Sequence, residues 1–534
     1  MVQRRPAPGR GQRRRRAQRA RVDPGDHADR GRRGDVRGQA RAPPPGLSVP
    51  GRPAGHRGCV TDPAAAYRAA LPEGRTTELD LRGYDRTGIP VTATVWRAAD
   101  GTRSGHGVGY GATEEAAAIG AWGELAEQVL LDDALLAREP RTASFRELVA
   151  ERGADRVADP RTLVLPAGVD DDPDRPLRWL PTTRWATGEE VLVPAEFVAP
   201  HAAGIAAPPP AGGWLVTPIT NGMGAGDTIE RAVGHGIGEL LQRHGNTVDF
   251  RALDTGRVVT GIDDPQALAA IAALEAAGLQ VTVKLASTEF AVVVHAVATD
   301  PAAEVPVVVS AIGEAAAPDR AEAVRKAVLE LASSRARRAF AFGPLAGVRA
   351  RHPDYLADEL ATPLPEQEPR ALAAMTAWTG LGTAELTDLL APLWARRTEV
   401  PFAGLPTSAV HGPAETLALY RERLAGFDLL VAATGVRGVH VAKVLVPGLE
   451  VETLSYGRIG ERVLRRLLAR GSDLVGLGVA EGPDRRPVRL TPEATERVGG
   501  PAWLDVAAVA RTVGELYPLY REPTRHAPQR LAQS

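Results

Sequence analysis

Two pairs of oxygen-bearing side chains stand out by residue type and spacing. Glu124 and Glu127 lie three residues apart, and 115 residues further on Glu239 and Gln242 repeat the interval. Positions i and i+3 share one face of a helix, so each pair can aim two oxygens at one point. Magnesium and other hard cations select oxygen ligands and commonly share them with substrate phosphates. The same spacing also occurs on ordinary solvated helix faces, and spacing alone does not separate the two readings.

Both pairs need helices, and their surroundings supply them. The first reads Gly111-Ala-Thr113-Glu-Glu-Ala-Ala117, then Gly123-Glu124-Leu125-Ala126-Glu127-Gln128. The second reads Gly226-Asp227-Thr228-Ile-Glu230-Arg231-Ala232, then Gly238-Glu239-Leu240-Leu241-Gln242-Arg243. A looser third copy runs from Ala321 to Leu331 and carries Glu330. The glycine-rich runs Gly105–Gly111 and Asn221–Gly226 precede the first two helices. They are predicted to be open turns whose backbone N–H groups cradle phosphate.

Elsewhere, Val91–Trp96 reads as a strand, Val191–Val193 as a short one, and Val281–Lys284 with Ala291–Ala296 as a pair. A third Ala-rich helix is expected over Arg320–Phe340, and helices interrupted by proline over residues 350–410. Leu429–Ala432 and Val439–Val446 are expected as buried strands, and a basic amphipathic helix begins near Arg458. The mixture predicts an α+β (mixed α/β) body with sheets flanked by Ala-rich helices.

Composition narrows the function classes. The chain has 534 residues, of which 44% are apolar, enough for a large core. Only Lys284, Lys326 and Lys443 are lysine, against 61 arginines, a bias that reads as a high-GC bacterial genome. Residues 1–58 hold sixteen Arg and four Asp with little apolar periodicity, so they read as a disordered or spurious arm. On the arm alone an RNA- or ribosome-associated factor is conceivable; nucleic acid is not expected as a partner of the body. No apolar run reaches the length of a membrane span and no signal-type h-region follows the arginines, so a cytoplasmic protein is expected. Cys59 is the single cysteine, which excludes thiolate chemistry in the body. His106, His201, His235, His244, His295 and His440 form no zinc-type pair. Gly107-Val-Gly109 lacks the third glycine of a dinucleotide fingerprint, since position 112 is alanine, and no lysine fits a P-loop.

Taken in order, three segments carry a resemblance. The Gly-Tyr-Gly-Ala-Thr-Glu-Glu-Ala run ending in Glu124 and Glu127 is one. The run Thr220-Asn221-Gly222-Met223-Gly-Ala-Gly226-Asp227-Thr228, leading to Glu239 and Arg243, is the second. The strand Val439–Val446 followed by Pro447-Gly448-Leu449 is the third. Together they resemble the YcaO family across about residues 100–455. The resemblance implies a YcaO-like fold over residues 59–460, with residues 461–534 as a C-terminal extension packing on it. It also implies ATP- and Mg2+-dependent phosphorylation of peptide-backbone amide oxygens, leading to azolines, thioamides or related products. A precursor peptide would be the substrate, and a separate leader-binding or sulfur-delivery protein the partner; a homodimer is compatible with the sequence. By the same resemblance Glu124, Glu127, Glu239 and Gln242 would hold metal, and Asn221, Asp227, Arg231 and Arg243 would hold nucleotide. No catalytic residue is assigned.

The departures from the family pattern matter as much. Arg231 stands where the family places an acid, and Glu230, one residue off, points about a hundred degrees away. Gln242 replaces a second acid with a neutral amide, and Gln128 replaces an arginine. The chain does not end in the proline-rich tail of many family cyclodehydratases. A non-catalytic nucleotide-binding or scaffolding subunit is therefore the competing expectation.

Overall fold

Alternating β-branched runs and Ala-rich helical runs sort the described residues into four sheets and the helices that cover them. The computed structural model describes residues 62–247, 253–452 and 457–532, so the Arg-rich arm and Cys59 lie outside the described residues. The described residues all belong to one compact unit.

Strands β1 (Gly74–Asp80), β2 (Val91–Ala98) and β3 (Ser104–Tyr110) form an antiparallel meander. Next in the chain come β4 (Arg141–Ser144), β5 (Pro176–Arg184), β6 (Glu190–Pro194) and β7 (Met223–Gly226). Strands β8 (Arg257–Thr260), β9 (Gln280–Ser287), β10 (Val292–Thr299), β11 (Ile312–Ala317) and β12 (Thr398–Pro401) make a second sheet in the order β11-β10-β9-β8-β12. Its β8–β12 edge is parallel, and residues 398–401 supply a strand that the expected helical region did not foresee. Strands β13 (Leu430–Val436) and β14 (Val439–Leu445) complete a third sheet, β4-β5-β13-β14-β7, with β6 on β5. A small sheet of β15 (Val475–Leu477), β16 (Arg485–Pro487) and β17 (Ala502–Asp505) follows.

The helices that matter for the site are α1 (Pro63–Ala70), α2 (Glu114–Leu136), α3 (Ile229–Asn246), α4 (Arg320–Phe342), α5 (Pro413–Arg423) and α6 (Glu461–Ala469). Helices α2, α3 and α4 begin alike. Each follows a strand (β3, β7, β11), and its N-cap Thr113, Thr228 or Asp319 accepts from the backbone N–H of Ala116, Arg231 or Glu322. The three strands belong to three different sheets.

The glycine-rich runs expected as open turns are strands instead. Ser104–Tyr110 pairs with Val91–Arg97, and Met223–Gly226 pairs with His440–Lys443. The chain turns at Thr220–Gly222, where Met223 N–H reaches Thr220 O and Gly222 sits at φ +88°. The strand glycines serve packing. A Cβ on Gly109 would lie 2.1 Å from Ala117 O, on Gly224 2.1 Å from Ala232 O, and on Gly313 1.9 Å from Ala327 O. Without side chains there, each helix backbone rests directly on its strand. These glycines are taken up in ladders and helix contacts, so the phosphate cradle expected of open turns does not form.

Small residues continue that close fit into the core. Ala323, Ala327 and Val328 of α4 pack on Val294, Ala296 and Ala315 of β10 and β11. Leu240 of α3 packs with Leu417 and Tyr420 of α5. Between residues 345 and 389, Pro353 and Pro369 start helices at their first turn, and Pro363 and Pro365 lie in the connection between those two helices, so none of them kinks a helix. The basic helix α6 buries Val463, Leu464 and Leu467, while Arg462 and Arg466 both pair with Glu289.

Candidate functional site

Each of the three similar strand–helix units turns one acid back onto its own backbone. Glu124 of α2 accepts the backbone N–H of Val108 on β3 at 2.7 Å. Glu239 of α3 accepts that of Gly222, just before β7, at 2.8 Å. Glu330 of α4 accepts that of Glu314 on β11 at 3.1 Å. Each carboxylate is thus fixed to the strand its own helix rests on. Glu127, one turn beyond Glu124, hydrogen-bonds the backbone of Ala225 on β7, so the first unit reaches into the second.

Burial and mutual repulsion set the electrostatics. Glu127 is pushed well above the carboxylate range by burial, then by Glu124 and Glu239. Glu124 is raised by burial with Glu239 adding to it, against the opposing Val108 N–H and the Arg337 charge. Glu330 is pushed up to about 8, by burial first and then by Glu314. Arg243 stands between these acids, 3.4 Å from Glu239 and 3.5 Å from Glu314. Burial works against its charge, and Glu314 and Glu239 more than offset that, holding its pKa up.

A cleft of about 510 Å³ opens between α3 and α4, lined by Arg231, His235, Glu239, Gln242, Arg243, Glu314, Lys326 and Glu330 among others. The structure therefore brings Glu239, Gln242, Arg243 and Arg231 to one cavity. Asp227 takes Arg231 at 2.7 Å, an exposed pair on the first turn of α3. Burial pushes the Tyr67 hydroxyl of α1 up, with Glu127 and Asp227 adding to it and Arg231 opposing. Asn221 stands apart from that cavity: its Nδ2 donates to Val451 O at 2.6 Å, and it lines a second cleft. Among the described residues, no three His, Cys, Asp or Glu side chains already converge at metal-ligand distance.

Several residues of this region escaped the sequence reading of the site. Glu330 sits in the third echo, and its role was legible there only as a repeat. Glu314 had no signal, being one acid in an Ala-rich strand. Lys443 did have one: in a chain so poor in lysine, this one is 2% exposed. Its ammonium donates to Ile219 O at 2.5 Å and Asn221 O at 2.6 Å, pinning the turn whose Gly222 N–H holds Glu239. Burial pulls the Lys443 pKa down to about 7, with Glu239 opposing.

Residues 108–450 match the family model described as "YcaO cyclodehydratase, ATP-ad Mg2+-binding". This chain belongs to the YcaO family. A protein of Methanothermobacter thermautotrophicus is 26% identical over 397 residues, 73% of this chain and 93% of that one. A solved heterocyclase in complex with substrate and cofactor is 16% identical, with a TM-score of 0.56, covering 78% of this chain and 56% of its own. YcaO from Methanopyrus kandleri bound with AMPPCP and Mg2+ is 20% identical at a TM-score of 0.49, over 74% of this chain and 91% of that one. The mixed sheets and helices are the YcaO fold, and ATP and Mg2+ are the cofactors of the family.

The residues present suit those cofactors chemically. Burial and then Glu239 raise Glu124, and burial and then Glu124 and Glu239 raise Glu127, so the two side chains of α2 are short of positive charge that a dication would supply. Oxygen donors alone, without sulfur or a histidine pair, fit magnesium among common ions. Arg243 and Lys326, on facing walls of the cleft, fit phosphate oxygens.

Proposed function

We propose that this YcaO protein uses ATP and Mg2+ to phosphorylate backbone amide oxygens of a ribosomally made peptide. An amide oxygen is a poor leaving group until it carries phosphate. A side-chain hydroxyl or thiol, or an external sulfur donor, can then attack the activated carbon. The chain's part is placement and charge neutralisation, the terms that dominate phosphoryl transfer. Glu124, Glu127 and Glu239, with the Gln242 amide oxygen, would hold the metal. Arg243 would meet phosphate, and Arg231, Asp227 and Asn221 would complete the nucleotide's surroundings. The observation that carries the reading is that Glu124 and Glu127 are raised by burial and by Glu239, which itself lines the 510 Å³ cleft. Substrate recruitment is assigned to a separate protein, acting in the cytoplasm, and residues 461–534 to an extension of the YcaO body.

Gln242 and the Asp227-bound Arg231 favour a second reading, in which nucleotide binds without turnover. Calorimetry with ATP and Mg2+ tests both; absence of binding at millimolar nucleotide refutes them together. If nucleotide binds, phosphate release on adding a cysteine-containing peptide supports the enzyme, and its absence with every peptide and partner supplied supports the non-catalytic subunit.

A further inference from the structure

A second cleft, of about 430 Å³, lies against the first and shares Arg243 and Glu314 with it as a common wall. Its other sides are the irregular segment Thr217–Asn221, Pro200 and His201, Val451 and Glu452, and the C-terminal stretch Tyr520–Glu522. Its acids are already held: Glu314 by Arg243, Glu452 by Arg458 at 2.8 Å, and Glu522 by Arg337 at 2.6 Å and Arg338 at 3.0 Å. A ligand there meets paired charges and has little to gain from a charge of its own.

Two buried polar atoms on its lining lack partners in the protein. Asn246 is 3% exposed; its Nδ2 donates to Glu314 at 3.0 Å, which fixes the amide's orientation and leaves Oδ1 unmatched. His201 is kept neutral by burial and by Lys443, and its Nδ1 is likewise unmatched. An unmatched buried acceptor calls for a donor from whatever fills the site. An uncharged ligand that brings N–H donors and fits roughly 300–1,000 Å³ is a short stretch of peptide backbone.

We infer that the second cleft seats the acceptor peptide, with a backbone N–H on Asn246 Oδ1 and the adjoining carbonyl directed at the Arg243 wall that it shares with the nucleotide cleft. This rests on the reading proposed above, since it gives each of two substrates its own cavity and makes Arg243 their meeting point. Asn246 is a positioning and specificity residue here, selecting an unsubstituted amide.

The test uses the full chain and two probes, acetyl-Gly-Cys-Gly-amide and the same peptide N-methylated at its internal amides, followed by ligand-observed NMR. The parent peptide is expected to bind saturably and the N-methylated one about tenfold more weakly, the loss of one hydrogen bond to a buried partner. Asn246→Leu should abolish that discrimination while leaving ATP–Mg2+ affinity within about twofold of the parent protein, as expected when the lost bond is confined to the peptide cleft. Equal binding of the two peptides to the unaltered protein, or no saturable binding of either, overturns the inference without needing the variant. A large loss of nucleotide affinity in Asn246→Leu also overturns it, by placing the nucleotide in the second cleft. Failure of the unaltered protein to bind ATP–Mg2+ instead refutes the functional reading beneath it.

Discussion

Removing one charge from the acidic centre should stabilise the protein. Glu330 is raised from 4.5 to about 8 by burial and by Glu314. Between those values the folded state binds a proton that the unfolded chain has released, so this group's stability contribution is full below pH 4.5 and is lost as pH rises through 8. At about 1.4 kcal/mol per pKa unit the whole loss is roughly 5 kcal/mol at most, an appreciable part of a domain's stability. Glu330→Gln keeps an oxygen to accept the Glu314 N–H and cannot ionise. Its urea midpoint should match the parent near pH 4.5 and exceed it progressively toward pH 8, by a gap of about 2–5 kcal/mol. Urea titrations across that range, each read by far-UV and tryptophan signals together, give the comparison. Parallel pH profiles for the two proteins, or a variant less stable at pH 8, would refute the assignment of the strain to this carboxylate.

Three other outcomes are expected. Gln242→Glu should tighten Mg2+ binding in the presence of ATP by about tenfold in calorimetry, the effect of roughly 1–2 kcal/mol from one added charge near a dication. Gly224→Ala should cost about 1–3 kcal/mol in thermal unfolding, and it should weaken nucleotide binding, because α3 must leave β7 and carry Glu239 with it. Lys443→Met should release the Ile219–Asn221 turn and weaken nucleotide binding, and Lys443→Arg should fail to restore it, because a planar fork cannot take a compact ammonium's place between the two carbonyls.

What the sequence made legible was the helices and their acids. Periodicity located α4 to within two residues at its end, and the paired strands β9 and β10, with Lys284 opposite His295. The 115-residue repeat pointed at Glu124 and Glu239 because local pattern and chemistry coincide there. The glycines misled, since Gly107, Gly109 and Gly224 report how near a helix lies and not how the chain turns, and nearness is a tertiary fact. Glu314 was invisible for the same reason: its neighbours Arg243 and Asn246 come from 71 and 68 residues away in the chain. The short strand at Thr398–Pro401 draws its stability from a parallel partner at Arg257–Thr260 and not from its own four residues.

The glycine seats of α2, α3 and α4 carry a mechanical consequence. Each seat locks one carboxylate to one strand, and the three strands sit in three separate sheets. Glu239 lies close enough to Glu124 to raise it, so the α2 and α3 units face each other there through like charges. A cation bound there acts as a rivet. It should raise the cooperativity of unfolding across the body, sharpening the transition as well as shifting it by the mass-action stabilisation that any native-state ligand provides.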